Sequence, residues 1–337
     1  MSGMREPKRQ YLQFAAIFFA VIFLVSGVLL VLSVWEKSQA RFPGDESYGL
    51  DEEIKYNGKT YILKEDVQTL LVLGLDKFED SEGSSGYAEA YNNDRQADFV
   101  MLFVIDNKNQ TCSAIHINRD TMVDVNVLGV AGQKIGTVNK QLALAHTYGN
   151  GKEVSCGNVA DAVSNFLYGV KIDHFISVTM DAVPVFNDLV GGVEVTVLDD
   201  FAGVDDTLVK GETLTLKGEQ ALHYIRSRQG LDDSTNSSRM IRQRQYLSAL
   251  YQQTMKCVET ESQFIVNASV QMADYMVSDC TVNQLQALFE KISAYEFNEI
   301  HAIEGTAIEG DKFMEFYPDV DSMKKIVVEL FYQEKRK

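Results

Sequence analysis

The sequence predicts an α/β fold, an α-β-α sandwich with a central mixed sheet, preceded by one N-terminal transmembrane helix. Three observations carry that expectation. From residue 67 onward, short apolar runs bounded by turn residues alternate with segments of helical periodicity, the pattern of strands covered by helices. The first run, Thr69 to Leu75 (TLLVLGL), is apolar without alternation, as in a strand buried on both faces. Gln10 to Trp35 contains no charged residue. At about 1.5 Å per residue that stretch crosses a hydrocarbon core of about 30 Å.

A cleaved signal peptide competes for the N-terminal run, but its apolar region usually spans only about 7–15 residues. This run is longer and ends at Trp35, a residue type suited to the membrane interface. Arg5, Lys8 and Arg9 precede it. The positive-inside rule then keeps residues 1–10 in the cytoplasm as a short tail and places everything after Trp35 outside. Residues 11–35 read as the anchor of a single-pass cell-membrane protein. Residues 36–66 read as an extracytoplasmic stalk ending in a short strand near Lys59–Leu63, and 67–337 as the main domain.

After TLLVLGL comes a Gly/Ser/Glu-rich loop over residues 79–92. Strands over Phe99–Asp106 and Thr111–Ile117 are joined by the turn-forming DNKNQ. Helical periodicity covers 137–148 and 158–168. A strand over Phe175–Thr179, a helix over Asp181–Leu189 and the turn Gly191-Gly192 lead to a strand over Val193–Val197. Residues 218 to 292 read mainly as helix. A strand near His301–Ile303, a hairpin over 306–317 and a helix from Asp319 complete the chain.

A formal net charge of −17 over 337 residues excludes general nucleic-acid binding, since no diffuse basic surface exists to neutralise a phosphate backbone. Cys112, Cys156, Cys257 and Cys280 show no CxxC pair and no metal-ligand spacing. Their redox state is open. Asn57-Gly58-Lys59-Thr60 resembles the end of a P-loop, but Glu53 stands where the first glycine belongs. GxGxxG, HExxH and GxSxG are absent. The five histidines are scattered and read as packing or surface residues.

Against that acidic background, five of the eleven arginines fall in YIRSRQGLDDSTNSSRMIRQRQ, residues 224–245. Guanidinium forks match phosphate oxygens bidentately and stay charged at any ordinary pH. A local cluster of them points to a phosphate or pyrophosphate. Arginines paired with surface carboxylates are the plainer reading. Two further segments combine arginine with carboxylate at strand ends: NDRQADFVMLFVI, with Arg95 and Asp98, and IHINRDTM, with Arg119 and Asp120. If the two strands flanking DNKNQ run antiparallel, both segments meet at one end of the sheet, where ligands bind in open α/β folds. Mg²⁺ is held by one or two carboxylates plus substrate phosphates, and Asp98 and Asp120 are the candidate pair. A strand cap and a surface ion pair are the alternatives.

The ordered motifs DRQAD, NRDTM, TVNKQLALA, VGGVEV, GETLTLKGEQALHYIRSR and SSRMIRQRQ, from about Thr69 to Leu250, resemble the LytR-CpsA-Psr family of bacterial cell-wall enzymes. The resemblance implies a catalytic domain that transfers a glycopolymer phosphate from a polyprenyl-pyrophosphate carrier onto peptidoglycan, as in capsule or teichoic acid attachment. It implies Mg²⁺ (or Mn²⁺) at Asp98 and Asp120, and pyrophosphate contacts at Arg95, Arg119, Arg226, Arg228, Arg239 and Gln243. Asp98, Arg119, Asp120, Arg226 and Arg228 would be catalytic, and an apolar tunnel would take the lipid tail. Two positions depart from the family pattern: Asn118 replaces a proline, and Asn236 replaces an aspartate whose role would fall to Asp232 or Asp233. A non-catalytic lipid-pyrophosphate sensor and a hydrolase of the same carrier are the other readings. The polymer is not specified by the chain.

Overall fold

The computed structural model describes residues 49–335 except 78–91, 130, 228–235 and scattered positions at 262–263, 282–283, 285–286, 289–290, 292–293 and 311–312. The anchor over 11–35, most of the 79–92 loop, Arg228, Asp232 and Asp233 lie outside the described residues. Among the described residues no helix is long and apolar enough to cross a membrane.

The chain opens with strands β1 (Glu53–Tyr56), β2 (Lys59–Leu63), β3 (Val67–Lys77), β4 (Arg95–Asp106), β5 (Thr111–Ile117), β6 (Met122–Leu128) and β7 (Lys134–Gln141). A 3-10 turn over Leu142–Thr147 precedes helix α1 (Glu153–Phe166) and strand β8 (His174–Thr179). Next come α2 (Ala182–Leu189), β9 (Val193–Thr196), β10 (Thr213–Leu216), α3 (Glu219–Arg226), α4 (Asn236–Thr260) and α5 (Phe264–Met272). The last elements are β11 (Met276–Ser278), β12 (Glu296–Ala302), β13 (Gly305–Glu309), β14 (Met314–Pro318), α6 (Val320–Phe331) and β15 (Tyr332–Glu334).

Two compact units result. One comprises the described residues of 178–276 and 280–298; the other comprises those up to 177, 277–279 and 299–335. The second unit is built on a six-stranded sheet in the order β11-β8-β3-β4-β5-β12. Its centre is an antiparallel meander, β3 to β4 with Val72 opposite Met101 and β4 to β5 with Val100 opposite Ile117. β3 is buried along Leu70–Leu75 and β4 along Gln96–Asp106, as the unbroken apolar runs require. On one face, Leu71, Leu73, Val100, Leu102 and Ile115 pack with Val159 and Val163 of α1 and with Ile326, Val327 and Leu330 of α6 in one core. A separate sheet, β1-β2-β15, pairs Leu63 with Tyr332, so the chain around residue 60 is zipped to its last strand.

Helical periodicity over 137–148 does not give a helix. Residues 134–141 form β7, paired antiparallel with β6 from Met122–Gln141 to Leu128–Lys134, and only Leu142–Thr147 turns, in 3-10 form. The apolar residues that suggest one helix face, Leu142, Leu144 and Ala145, are buried by the core instead of by an α-helical stripe. The Phe99–Asp106 strand begins four residues earlier than expected, at Arg95.

The first unit is mainly helical, with the hairpin β9–β10 in register from Val193–Leu216 to Thr196–Thr213. α4 packs on β9 and α3, and α2 packs on α3 and α5. Gly191 and Gly192 make the turn into β9 with φ of +81° and +95°. A side chain at Gly192 would put its Cβ 2.7 Å from the Leu216 carbonyl oxygen. The four cysteines are free, and Cys112 and Cys156 are buried.

Candidate functional site

The sheet-based unit brings Asp98, Arg119 and Asp120 together. Alternation along β4 turns Gln96 and Asp98 to one face, and the antiparallel pairing with β5 brings the loop after Ile117 over that face. Arg119 Nη1 donates to Asp98 Oδ1, Nη2 donates to Gln96 Oε1 at 2.7 Å, and Nε lies 3.3 Å from Asp120 Oδ1. All four side chains are buried; Arg119 and Asp120 are 5% and 2% exposed. One guanidinium thus spans two carboxylates, and the three groups together carry a formal charge of −1.

The loop carrying this cluster is fixed locally. Asn118 Oδ1 accepts from the Asp120 amide at 3.0 Å, and its carbonyl oxygen accepts from the Thr121 hydroxyl at 2.6 Å. The asparagine therefore makes a side-chain-to-backbone turn of its own where a proline would only preset φ. From further along the chain, Gln141 donates to Asp120 Oδ1 at 3.0 Å and to the Met314 carbonyl at 2.6 Å, and the Phe316 amide donates to the Asp120 carbonyl at 2.9 Å. The β13–β14 hairpin is thereby latched to the aspartate loop.

Arg95 is half-buried at the head of β4. Its amide donates to Asn93 Oδ1 at 3.0 Å, and its carbonyl accepts from His146 Nδ1 at 3.0 Å. Burial lowers the His146 pKa to about 4, against the raising effect of that backbone hydrogen bond. The ring is neutral, with Nε2 3.7 Å from Cys156 Sγ. Burial raises the Cys156 thiol to about 12, so the His–Cys contact holds no thiolate nucleophile.

The helical unit holds the arginine-rich segment. Arg239, Arg242 and Gln243 share one face of α4 at i, i+3 and i+4, and all are buried. Arg242 donates from Nη1 to the Tyr224 carbonyl and from Nη2 to the Ser227 carbonyl, both at 2.5 Å, and its Nε lies 2.9 Å from Asp199 Oδ2. Its guanidinium carbon sits 5.2 Å from the Phe201 ring centroid, a cation–π contact. Gln243 Nε2 donates to the Ile225 carbonyl at 3.3 Å. Together Arg242 and Gln243 hold the end of α3, where half-buried Arg226 is presented. Burial lowers the Arg244 pKa.

Asp199 escapes the sequence reading. It also accepts from the Ser238 hydroxyl at 2.7 Å and so stands beside the first turn of α4, 37 residues before Asn236 in sequence. Gln96 and Gln141 escape it too, because neutral amides carry no motif. For Gln96, the i, i+2 spacing to Asp98 was the available signal.

The carboxylate–arginine cluster at the strand ends of one unit and the buried arginine face of α4 in the other are the two features the sequence singles out for an anion. The chain belongs to the LytR-CpsA-Psr family: the LytR_cpsA_psr family model matches residues 36–330. It is 27% identical over 283 residues to the polyisoprenyl-teichoic acid–peptidoglycan teichoic acid transferase TagU of Enterococcus faecalis, covering 80% of this chain and 81% of that protein. To the transferase of the same description, TagV, of Bacillus subtilis it is 30% identical over 216 residues, 61% of this chain and 49% of that protein. The mixed α/β fold with a central mixed sheet matches solved structures. TagT bound to LIIa-WTA aligns with TM-score 0.55 at 21% identity, covering 79% of this chain and 89% of that one. B. subtilis TagV aligns with TM-score 0.55 at 23% identity, covering 80% and 97%.

Proposed function

We propose that this chain is a membrane-anchored extracytoplasmic phosphotransferase that moves a glycopolymer phosphate from a polyprenyl-pyrophosphate carrier onto peptidoglycan. Relatives named as teichoic acid transferases support the activity class. The observation that carries the chemistry is the buried Asp98–Arg119–Asp120 cluster at the strand ends. In this reading 1–10 is a cytoplasmic tail, 11–35 the transmembrane anchor, 36–66 the stalk and 67–337 the catalytic domain, arranged as an α-β-α sandwich. Tethering places the enzyme where a lipid-linked donor is concentrated.

Phosphoryl transfer asks for positioning and charge stabilisation more than for covalent chemistry. Arg95, Arg119, Arg226, Arg228, Arg239 and Gln243 are assigned to the pyrophosphate, with guanidinium charge offsetting what develops on the leaving prenyl phosphate. The donor set at Asp98 and Asp120 is two hard carboxylates, which suits Mg²⁺ or Mn²⁺ whose shell is completed by substrate phosphate and water. Such an ion would neutralise phosphate charge, and Asp98 and Asp120 would hold it. An aspartate of this cluster would also orient the acceptor hydroxyl.

The test supplies purified full-length chain in detergent with a polyprenyl-pyrophosphate-linked glycopolymer and a peptidoglycan fragment. The expected product is a new phosphodiester, formed with Mg²⁺, abolished by EDTA and absent in Arg226→Ala. Donor consumed equally fast without the fragment would make the protein a hydrolase. Donor bound and never consumed would make it a sensor.

A further inference from the structure

β12 is one of the two edge strands of the six-stranded sheet. Glu299 and His301 stand two apart on it and so share a face, and Glu329 lies in the last turn of α6. The ligand atoms of these three residues all lie within 4.8 Å of one another. The His301 side chain is only 9% exposed, yet its ring makes no hydrogen bond among the described residues. Its Nδ1 is 3.7 Å from Glu299 Oε1, beyond hydrogen-bonding reach. The nearby Lys64 ammonium is engaged with the Glu329 backbone carbonyl at 3.1 Å and with Asp106 at 3.3 Å. Two exposed carboxylates and a half-buried imidazole therefore converge, and among the described residues no lysine or arginine pairs with either carboxylate.

We propose that Glu299, His301 and Glu329 bind a divalent transition-metal ion, Zn²⁺ foremost, which fastens the last helix to the sheet edge. One imidazole nitrogen and two carboxylate oxygens are a mixed set that suits Zn²⁺ and leaves a position for water. The two carboxylates match the ion's charge when the imidazole is neutral. Tetrahedral ligation needs the donor atoms about 3.3 Å apart, from bonds of about 2.0 Å. Small side-chain rotations reach that separation from the distances present. Glu299, 61% exposed, leaves the ion a way in from solvent. The site lies apart from the Asp98–Asp120 pair and uses a nitrogen ligand that Mg²⁺ does not favour.

Isothermal titration of the full-length chain, purified without a polyhistidine tag, with Zn²⁺ alone tests the proposal. All titrations use a Cys280→Ser, His174→Ala background, which disables the other metal-capable group among the described residues, His174, Asp279 and Cys280. There Zn²⁺ should bind with or without Asp98→Ala, and an excess of Mg²⁺ should not compete. Affinity should fall at least tenfold in His301→Ala and in Glu299→Gln. The glutamine variant changes an exposed residue and keeps the fold if the alanine variant loses it. Zn²⁺ should raise the unfolding temperature of this background and leave that of its Glu299→Gln variant in place. No bound Zn²⁺, or equal binding in the background and both variants, would overturn the site.

Discussion

Arg242 and Arg119 are both buried, yet their guanidinium groups hold different partners. Arg242 has its guanidinium committed to two backbone carbonyls and Asp199. Arg242→Ala should cost about 2–3 kcal/mol of stability, because truncation takes the donor from two carbonyls and from the half-buried Asp199 carboxylate. Thermal denaturation reads this directly, and a variant melting with the wild type would mean that water replaces the guanidinium. Arg119 tests function instead. A lysine there presents one ammonium and cannot span Asp98, Gln96 and Asp120 at once. With one charged hydrogen bond worth about 1.5–3 kcal/mol, kcat/KM for transfer in Arg119→Lys should fall roughly 10–100-fold. Wild-type transfer by that variant would reduce Arg119 to a structural tie. Counting charges in sequence finds both arginines, and cannot separate them. The difference lies in what Asp199 and the turn at Ser227 do in space.

Among the elements, the turn at Gly191-Gly192 is the sharpest local constraint. Gly192→Ala meets both a positive φ and the Leu216 carbonyl at 2.7 Å. Strain of this kind costs about 1–3 kcal/mol, so the variant should unfold at a lower temperature, while Gly203→Ala, with nothing near its Cβ, should lose less. Unbroken apolar runs made β3 and β4 legible, and Asp319, whose Oδ1 accepts from the Ser322 amide at 2.7 Å, marked the start of α6. β6 carries a readable alternation, Val123 and Val125 buried with Asp124 exposed between them, that the sequence reading passed over. β7 is exposed along most of its length, and the leucines just beyond it mimic a helix stripe. The carboxylate cluster was legible because hairpin geometry fixes which residues meet. The helper amides Gln96 and Gln141 come from register and from a distant strand end, which no local pattern records.

For the whole molecule, acid stability follows from groups that are buried uncharged. His146 has a folded pKa of about 4 against an ordinary value of 6.5. Below pH 6.5 the unfolded chain takes the proton and the folded one does not, so stability is complete above that pH and declines as pH falls from 6.5 to 4. The loss is on the order of 3 kcal/mol. Urea unfolding across that window should show the decline in the wild type and a flatter profile in His146→Gln; parallel profiles would remove His146 from the explanation. The latch between the β13–β14 hairpin and the aspartate loop has a consequence in time. A ribosome delivers Asp98 and Asp120 about two hundred residues before Met314 and Phe316. An incomplete chain therefore carries the Asp120 loop without its hairpin latch until the final segment arrives.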